Sequence, residues 1–388
     1  MKKVLNVAVI GTGMMGKMHS SAWIKVNKFF NADCEINLKV ICDNKGQIEP
    51  FATQWGYDEV SYDWEETISR SDIDIVSICT PTNLHKEMSI TAAKCGKHIV
   101  CEKPCSLTYT DCLEMAEAAN KAGVVHYLDH NYRRVPAVAF AKQLVQEGRL
   151  GTIYHWRGAY LQDWIMDPNF PLTWHLRKEI AGGGPLYDLS SHALDLARYI
   201  IGEPFSVMCM TKTFINERPL PGRDAATFSS GSEVSTERGT VTVEDAAFMI
   251  LDFENGVLGS IDSSRFATAR RNFNDFEIYG SKGALKFNFL RMNELQYLDA
   301  TEPATIQGYR NILITEPEHP YLKAWWPRGH VIGYEHTFAN AFYDFVQAIS
   351  NKNVIRPNLE DGANIIRVLQ AAEKSSIEGR RVRIDEIN

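Results

Sequence analysis

Val4-Leu5-Asn6-Val7-Ala8-Val9-Ile10, followed by Gly11-Thr12-Gly13-Met14-Met15-Gly16, is the stretch that decides the fold. An apolar run of this length reads as a buried strand, and residues from about Gly13 to Val26 read as the helix it feeds. The three glycines have separate physical jobs. The first permits a tight turn, the second lets a pyrophosphate approach the backbone, and the third lets helix and strand pack closely. The helix N-terminus adds amide donors and the positive end of a dipole. Gly11, Gly13, Met14 and Met15 are therefore candidate cofactor contacts in a dinucleotide-binding unit.

Downstream the alternation continues. Leu38–Cys42, Asp74–Cys79, His98–Cys101 and Val124–Leu128 read as strands, with helices near Trp64–Ser69, Lys86–Cys95 and Thr110–Ala122 between them. Such runs imply a parallel sheet covered on both faces. Asp43 ends the second strand, where a carboxylate can accept hydrogen bonds from ribose hydroxyls and repel a 2′-phosphate. It lies 27 positions after Gly16 (43 − 16), beyond the usual spacing of about 20, and a polar insertion at Asn27–Asn37 accounts for the excess. No Arg adjoins Asp43 to welcome a phosphate, so NAD is expected over NADP.

Near Asp129–Asn131 the pattern changes to a helix, a long strand (Thr152–Leu161), a helix over about Gly184–Ile201 and then several strands. Glu254-Asn255-Gly256 and Ser281-Lys282-Gly283 are hairpin signals. The expectation is an α/β protein: a dinucleotide-binding domain with a parallel sheet over 1–129, and a second domain over 130–388 whose strands form an antiparallel sheet. Two amphipathic helices, about Glu335–Ile349 and Leu359–Ser376, close the chain. Asn216–Arg238, polar and rich in Gly and Ser, reads as a mobile loop.

Length and composition narrow the class. A chain of 388 residues favours two domains. Its 41 Lys+Arg against 48 Asp+Glu, a net charge of −7, argue against nucleic acid or an anionic membrane as partner. No run of about 18 apolar residues exists to span a bilayer. The 8 cysteines are scattered, several inside apolar strands (Cys42, Cys79, Cys209), which suggests reduced thiols in a cytoplasmic protein.

Two further motifs carry chemistry. Cys101-Glu102-Lys103-Pro104 follows the strand His98–Cys101, and strand C-terminal ends are where ligands sit in open α/β sheets. A lysine there can hydrogen-bond a reacting oxygen and stabilise negative charge; alone, it is as readily a solvated surface residue. Pro104 is a candidate cis proline. Ala181-Gly182-Gly183-Gly184-Pro185-Leu186-Tyr187-Asp188-Leu189-Ser190-Ser191-His192 marks a helix start that something approaches closely. Asp188 and His192, four apart, share a helix face. Histidine is the natural base for an alcohol proton near neutral pH; Asp188 can orient a neighbouring hydroxyl or tune the imidazole. Two ligands without a Cys/His cluster do not make a metal site, so none is expected.

The glycine turn, Glu102-Lys103-Pro104 and the glycine run with Asp188 and His192 resemble, in order and spacing, the Gfo/Idh/MocA oxidoreductase family over essentially the whole chain. The resemblance implies a Rossmann domain followed by an α+β domain with a large, mainly antiparallel open sheet, and an NAD(P)-dependent dehydrogenase that oxidises a secondary hydroxyl of a sugar, glycoside or cyclitol. Lys103, Asp188 and His192 would form its catalytic group. It nominates Thr80, Pro81, Asn83, His85, Glu102, Lys103, Asn131 and Trp174 as cofactor contacts beside Asp43. Gln162-Asp163-Trp164, Pro171-Leu172-Thr173-Trp174 and Gly329-His330 look like the branch acting on glucose-type pyranosides, levoglucosan dehydrogenase and the glucoside 3-dehydrogenases included; inositol dehydrogenases are similar too. Asp163, Trp164, His175 and His330 then join the candidate substrate contacts. His175 is a departure, since relatives often carry Arg there. Of the tryptophans at 164, 174, 325 and 326, one or two are expected to touch substrate and the rest to be core. His19, His98, His126, His155 and His319 read as structural or surface histidines.

The expected reaction is oxidation at C3 of a glucoside, giving a 3-keto sugar, with a cyclitol hydroxyl as the broader class. A partner enzyme acting on the keto product would be compatible with it. A glycosidase that retains NAD on the same fold is one rival, and the intact Glu-Lys-Pro argues against it. A non-catalytic NAD sensor is the other, and it would need no base. The C-terminal sheet is expected to pair copies into a homodimer or homotetramer.

Overall fold

The structure, a computed structural model, describes residues 2–44, 46–222 and 234–388. It begins with β1 (Lys3–Ile10), α1 (Met14–Phe29), β2 (Cys34–Cys42), α2 (Glu49–Trp55), β3 (Glu59–Ser61), α3 (Trp64–Ser69), β4 (Ile75–Ile78), α4 (His85–Lys94), β5 (His98–Cys101), α5 (Tyr109–Ala122) and β6 (His126–Leu128). The six strands form one parallel sheet in the order β3-β2-β1-β4-β5-β6. β4 is buried at all four positions, as a central strand covered on both faces must be. The order reverses between β1 and β4, and ligands of doubly wound sheets bind at such a switch point, outside the strand C-termini.

The polar run Asn27–Asn37 is not an insertion. α1 continues to Phe29, and β2 begins at Cys34, paired with Lys3. Asn27 donates from Nδ2 to the Ile36 carbonyl (2.7 Å) and accepts at Oδ1 from the Ile36 amide (2.9 Å). A side chain that satisfies both backbone groups of a strand residue reads as a loop in the sequence. α2 and the three-residue β3 were not legible there either.

The chain continues through α6 (Pro136–Gln146), β7 (Ile153–Leu161), α7 (Lys178–Ala181), α8 (Pro185–Asp188), α9 (Ser190–Ile200), β8 (Pro204–Lys212), β9 (Glu217–Pro221), β10 (Val234–Thr240), β11 (Ala246–Phe253), β12 (Leu258–Ser264), β13 (Phe273–Gly280), β14 (Gly283–Asn288), β15 (Glu294–Asp299), β16 (Arg310–Leu313), α10 (Tyr334–Asn351), α11 (Leu359–Glu378) and β17 (Val382–Arg383). Nine strands make the second sheet, ordered β16-β15-β14-β13-β7-β12-β11-β8-β17. All neighbours are antiparallel except β7 and β12. α9 packs on β7 and β12, and α6 on β14, β15 and α9. Trp156 and Phe276 stack at 4.7 Å inside this core.

Two expectations change here. The helix over 184–201 is divided at Leu189 into α8 and α9. Residues expected in a mobile loop include β9 and β10, which pair antiparallel; the central part of that loop, 223–233, lies outside the described residues.

The chain divides into two compact units, Met1–Arg134 with Tyr321–Asn364, and Val135–Pro320 with Ile365–Asn388. The first therefore contains, besides the span 1–129, a stretch from the C-terminal third. Physically α10 belongs to it because its aromatic face covers α1. Phe342 packs on Trp23 with ring centroids 4.3 Å apart, and Phe345 lies 6.2 Å from the same ring. No helix among the described residues is long and apolar enough to cross a membrane.

Candidate active site

On the first unit, Gly11 has φ +110°, and a Cβ there would stand 2.7 Å from the Cys79 carbonyl oxygen. A Cβ on Gly16 would stand 2.0 Å from the Gly11 carbonyl oxygen, so α1 can enter this close to β1 only through glycine. At Gly13 a Cβ would meet no protein atom within 4 Å. That glycine leaves room beside the α1 N-terminus, which has no side-chain cap. Met14 is exposed there, while Met15 packs on the core. Asp43 Oδ2 accepts from the Thr12 amide (2.8 Å) and hydroxyl (2.6 Å), tying the end of β2 to the turn. An open backbone, free helix-end donors and a strand-end carboxylate fit a dinucleotide.

The backbone continues the ladder past the strand ends. Cys79 donates to Ile10, Glu102 to Ile78 and Asp129 to Cys101, which sets these three side chains along one edge. The Lys103–Pro104 peptide is cis. Lys103 is half-buried, and its amide donates to Glu102 Oε2 at 3.0 Å. Glu102 is buried, and its Oε1 lies 3.1 Å from His19 Nε2. His19 thus belongs to the edge that carries Lys103, a placement its isolated position in the sequence does not signal. Thr80 and Pro81 are half-buried and Asn83 exposed. His85 is buried, its two ring nitrogens against the carbonyls of Pro104 (3.0 Å) and Thr80 (2.9 Å), so it joins the turn after β4 to the Pro104 turn. Asn131 is buried and donates to Thr337 Oγ1 at 2.8 Å. His330 is exposed, its Nδ1 2.9 Å from the Pro327 carbonyl. Trp325 is core, packed on Phe29 and His336 and donating to Asn340; Trp326 is exposed.

On the second unit, the glycine run has a packing cause. A Cβ on Gly184 would lie 1.9 Å from the Glu244 carbonyl oxygen, and one on Gly183 would run into Tyr187. Glu244 Oε1 accepts from the Leu186 amide at 2.7 Å, and burial pushes this carboxyl's pKa up. Asp188 ends α8 and His192 lies in the first turn of α9. Asp188 Oδ2 accepts from Arg265 Nη2 at 2.7 Å, and the Arg265 side chain has no exposed surface. The same guanidinium donates to the His175 carbonyl (3.3 Å) and lies 5.4 Å from the Trp164 ring centre. Arg265 is the functional candidate that sequence reading missed, because no motif links it to a partner 77 positions away.

His192 is buried, its ring 5.7 Å from that of Tyr160. Tyr160 and Gln162 both donate to Asn272 Oδ1, and Trp164 Nε1 donates to Gln162. Trp174 stacks on His175 at 3.7 Å, and Trp164 meets His175 edge-on at 5.8 Å. Asp163 accepts from the Ala269 amide at 3.0 Å, which gives it a loop-holding contact. The structure thus groups Asp188, Trp164, Trp174 and His175 around Arg265, with His192 beside Tyr160.

Known proteins extend this reading. Residues 5–130 match the oxidoreductase family with an NAD-binding Rossmann fold, and residues 138–286 match the GFO/IDH/MocA C-terminal domain. The levoglucosan dehydrogenase of Pseudarthrobacter phenanthrenivorans is 39% identical over 99% of both chains. The chain belongs to the Gfo/Idh/MocA oxidoreductase family. Its first unit carries the family's NAD-binding Rossmann fold. Among curated relatives, the D-glucoside 3-dehydrogenase of Escherichia coli is 29% identical over 67% of this chain and 70% of its own. A levoglucosan dehydrogenase solved in complex with NADH and levoglucosan superposes with TM-score 0.92 at 38% identity, covering 98% of this chain and all of that one.

Proposed function

We propose that this Gfo/Idh/MocA protein is an NAD-dependent dehydrogenase of a pyranoside hydroxyl, with C3 of a glucoside as the favoured position. The observation that carries the reading is Asp188 at the end of α8, fixed by a buried guanidinium at 2.7 Å, four residues before the buried His192 in the first turn of α9. The named activities of the levoglucosan and glucoside relatives support the sugar class. Asp43, with no adjacent arginine, supports NAD over NADP.

Bound NAD would supply the hydride acceptor. His192 would take the proton of the reacting hydroxyl as general base. Lys103 would donate a hydrogen bond to the same oxygen and stabilise its alkoxide character. Asp188 would accept from a neighbouring hydroxyl and hold the ring in register. Trp164 and Trp174 would offer apolar faces to the sugar. His192→Ala should lower kcat by about 10²–10⁴-fold with NADH affinity unchanged, and Lys103→Met should act similarly. Folded variants with wild-type kcat would refute these assignments. Carbon NMR of the product places the new ketone at C3 if the favoured position is right.

The proposal includes a homo-oligomer formed through the nine-stranded sheet. Met208, Met210, Phe248 and Ile250 are exposed on β8 and β11 in adjacent register pairs, and contiguous apolar patches of this kind mark association surfaces. A stable monomer at micromolar concentration in sedimentation would contradict it.

A further inference from the structure

We propose that His19 is a positioning residue for the reaction: a buried imidazolium shared by Glu102 and Asp129 that fixes the Glu102 carboxylate and, through it, the Lys103 turn. The inference rests on the dehydrogenase reading of Lys103. Three elements deliver the cluster. His19 comes from α1, Glu102 follows β5 and Asp129 follows β6. His19 Nε2 lies 3.1 Å from Glu102 Oε1 and 3.2 Å from Asp129 Oδ2. Its Nδ1 lies 2.7 Å from Ser77 Oγ. Cys79 also faces the ring, and Phe338 and Phe342 of α10 pack on it at 6.2 and 4.9 Å. Tyr127 donates to Asp129 Oδ1 at 3.2 Å, and the Tyr334 phenol is held in the field of both carboxylates.

The chemistry favours the charged ring. Burial works against an imidazolium, but the carboxylates of Asp129 and Glu102, with the Cys79 sulfur facing the ring, hold the His19 pKa well above its ordinary value. Burial raises Asp129 to about 6, so this carboxyl is ionised above neutrality. A buried carboxylate left without its cation would reprotonate or turn away. Glu102 Oε2 holds the Lys103 amide, so movement of Glu102 moves the residue proposed to bind the reacting oxygen. Without His19 two carboxylates would face each other; neutralising Asp129 as well would relieve the repulsion.

The test uses four proteins: wild type, His19→Gln, Asp129→Asn and the double variant. Histidine 15N NMR of the wild type near pH 7.5 should show one doubly protonated ring that vanishes in His19→Gln; a spectrum with every ring singly protonated overturns the proposal. Turnover of levoglucosan with NAD should fall roughly tenfold to a hundredfold in kcat for His19→Gln, and the double variant should recover at least threefold of it. A folded His19→Gln with wild-type kcat, or a double variant no better than His19→Gln, overturns the positioning role. If His19→Gln does not fold alone, the double variant, which lacks the carboxylate repulsion, carries the comparison: its kcat should stay below that of wild type, and a folded double variant with wild-type kcat overturns the positioning role. A wild type inert on levoglucosan counts against the sugar reading, while the NMR result still decides the imidazolium.

Discussion

The glycine turn on the first unit and the Asp188–Arg265 pair on the second are both held by close contacts, but their constraints differ in reach. The turn closes within six residues, because the Gly16 backbone lies on the carbonyl of Gly11. The pair closes over 77 residues, from the end of α8 to the residue after β12. A constraint between near neighbours appears as a motif, since the residue types that satisfy it stand together in the chain. A constraint between distant strands leaves one arginine among many. The proposed function would use both: the short turn would present backbone amides to a nucleotide, and the long-range pair would aim a side chain.

The comparison can be broken in order of effect. Gly16→Ala should be the most damaging change. Its Cβ has backbone as its nearest neighbour, so the turn must move, at a stability cost of about 1–3 kcal/mol and with loss of measurable NADH binding. Gly13→Ala should leave the melting temperature unchanged and weaken NADH binding only, because its Cβ meets no protein atom. Calorimetry with NADH titration separates the two. Arg265→Met should come next. It removes a charge-assisted bond of about 1.5–3 kcal/mol from Asp188, so kcat on a pyranoside should fall about a hundredfold with NADH affinity intact. An unchanged kcat in a folded variant would detach Arg265 from the site.

Asp275 on β13 gives a smaller, pH-dependent effect. Burial, then the charge of Glu277, pushes its pKa up to about 6. The native state therefore binds this proton more tightly than the unfolded chain, whose carboxyl titrates near about 3.9. Stability from this group is present at low pH and is lost as pH rises toward 6. Asp275→Asn should raise the melting temperature near pH 8 and not near pH 4. Equal shifts at both would contradict the burial account. Arg271→Ala should do least: Arg271 is 84% exposed and 3.6 Å from Asp163, so its ion pair is screened by water and thermal melts should coincide.

Much of this was legible in the chain. The buried strands β1, β4 and β5 announced themselves as apolar runs, and Gly11, Gly16 and Gly184 mark packing contacts that only glycine allows. The length of α1 and β2 was hidden because Asn27 serves the Ile36 backbone and reads as loop. His19 was dismissed because its partners, Glu102 and Asp129, lie at other strand ends. Arg265 was invisible for the same reason. Elements follow from local pattern, whereas charged networks follow from topology, which brings together residues that no spacing relates.

The most direct test of the central claim is NADH formation at 340 nm by the wild type and by His192→Ala, each with NAD and levoglucosan or methyl glucoside. The account predicts NADH from the wild type with at least one pyranoside and a rate about 10²–10⁴-fold lower from the variant. A flat wild-type trace with both sugars, or equal rates for the two proteins, would contradict it.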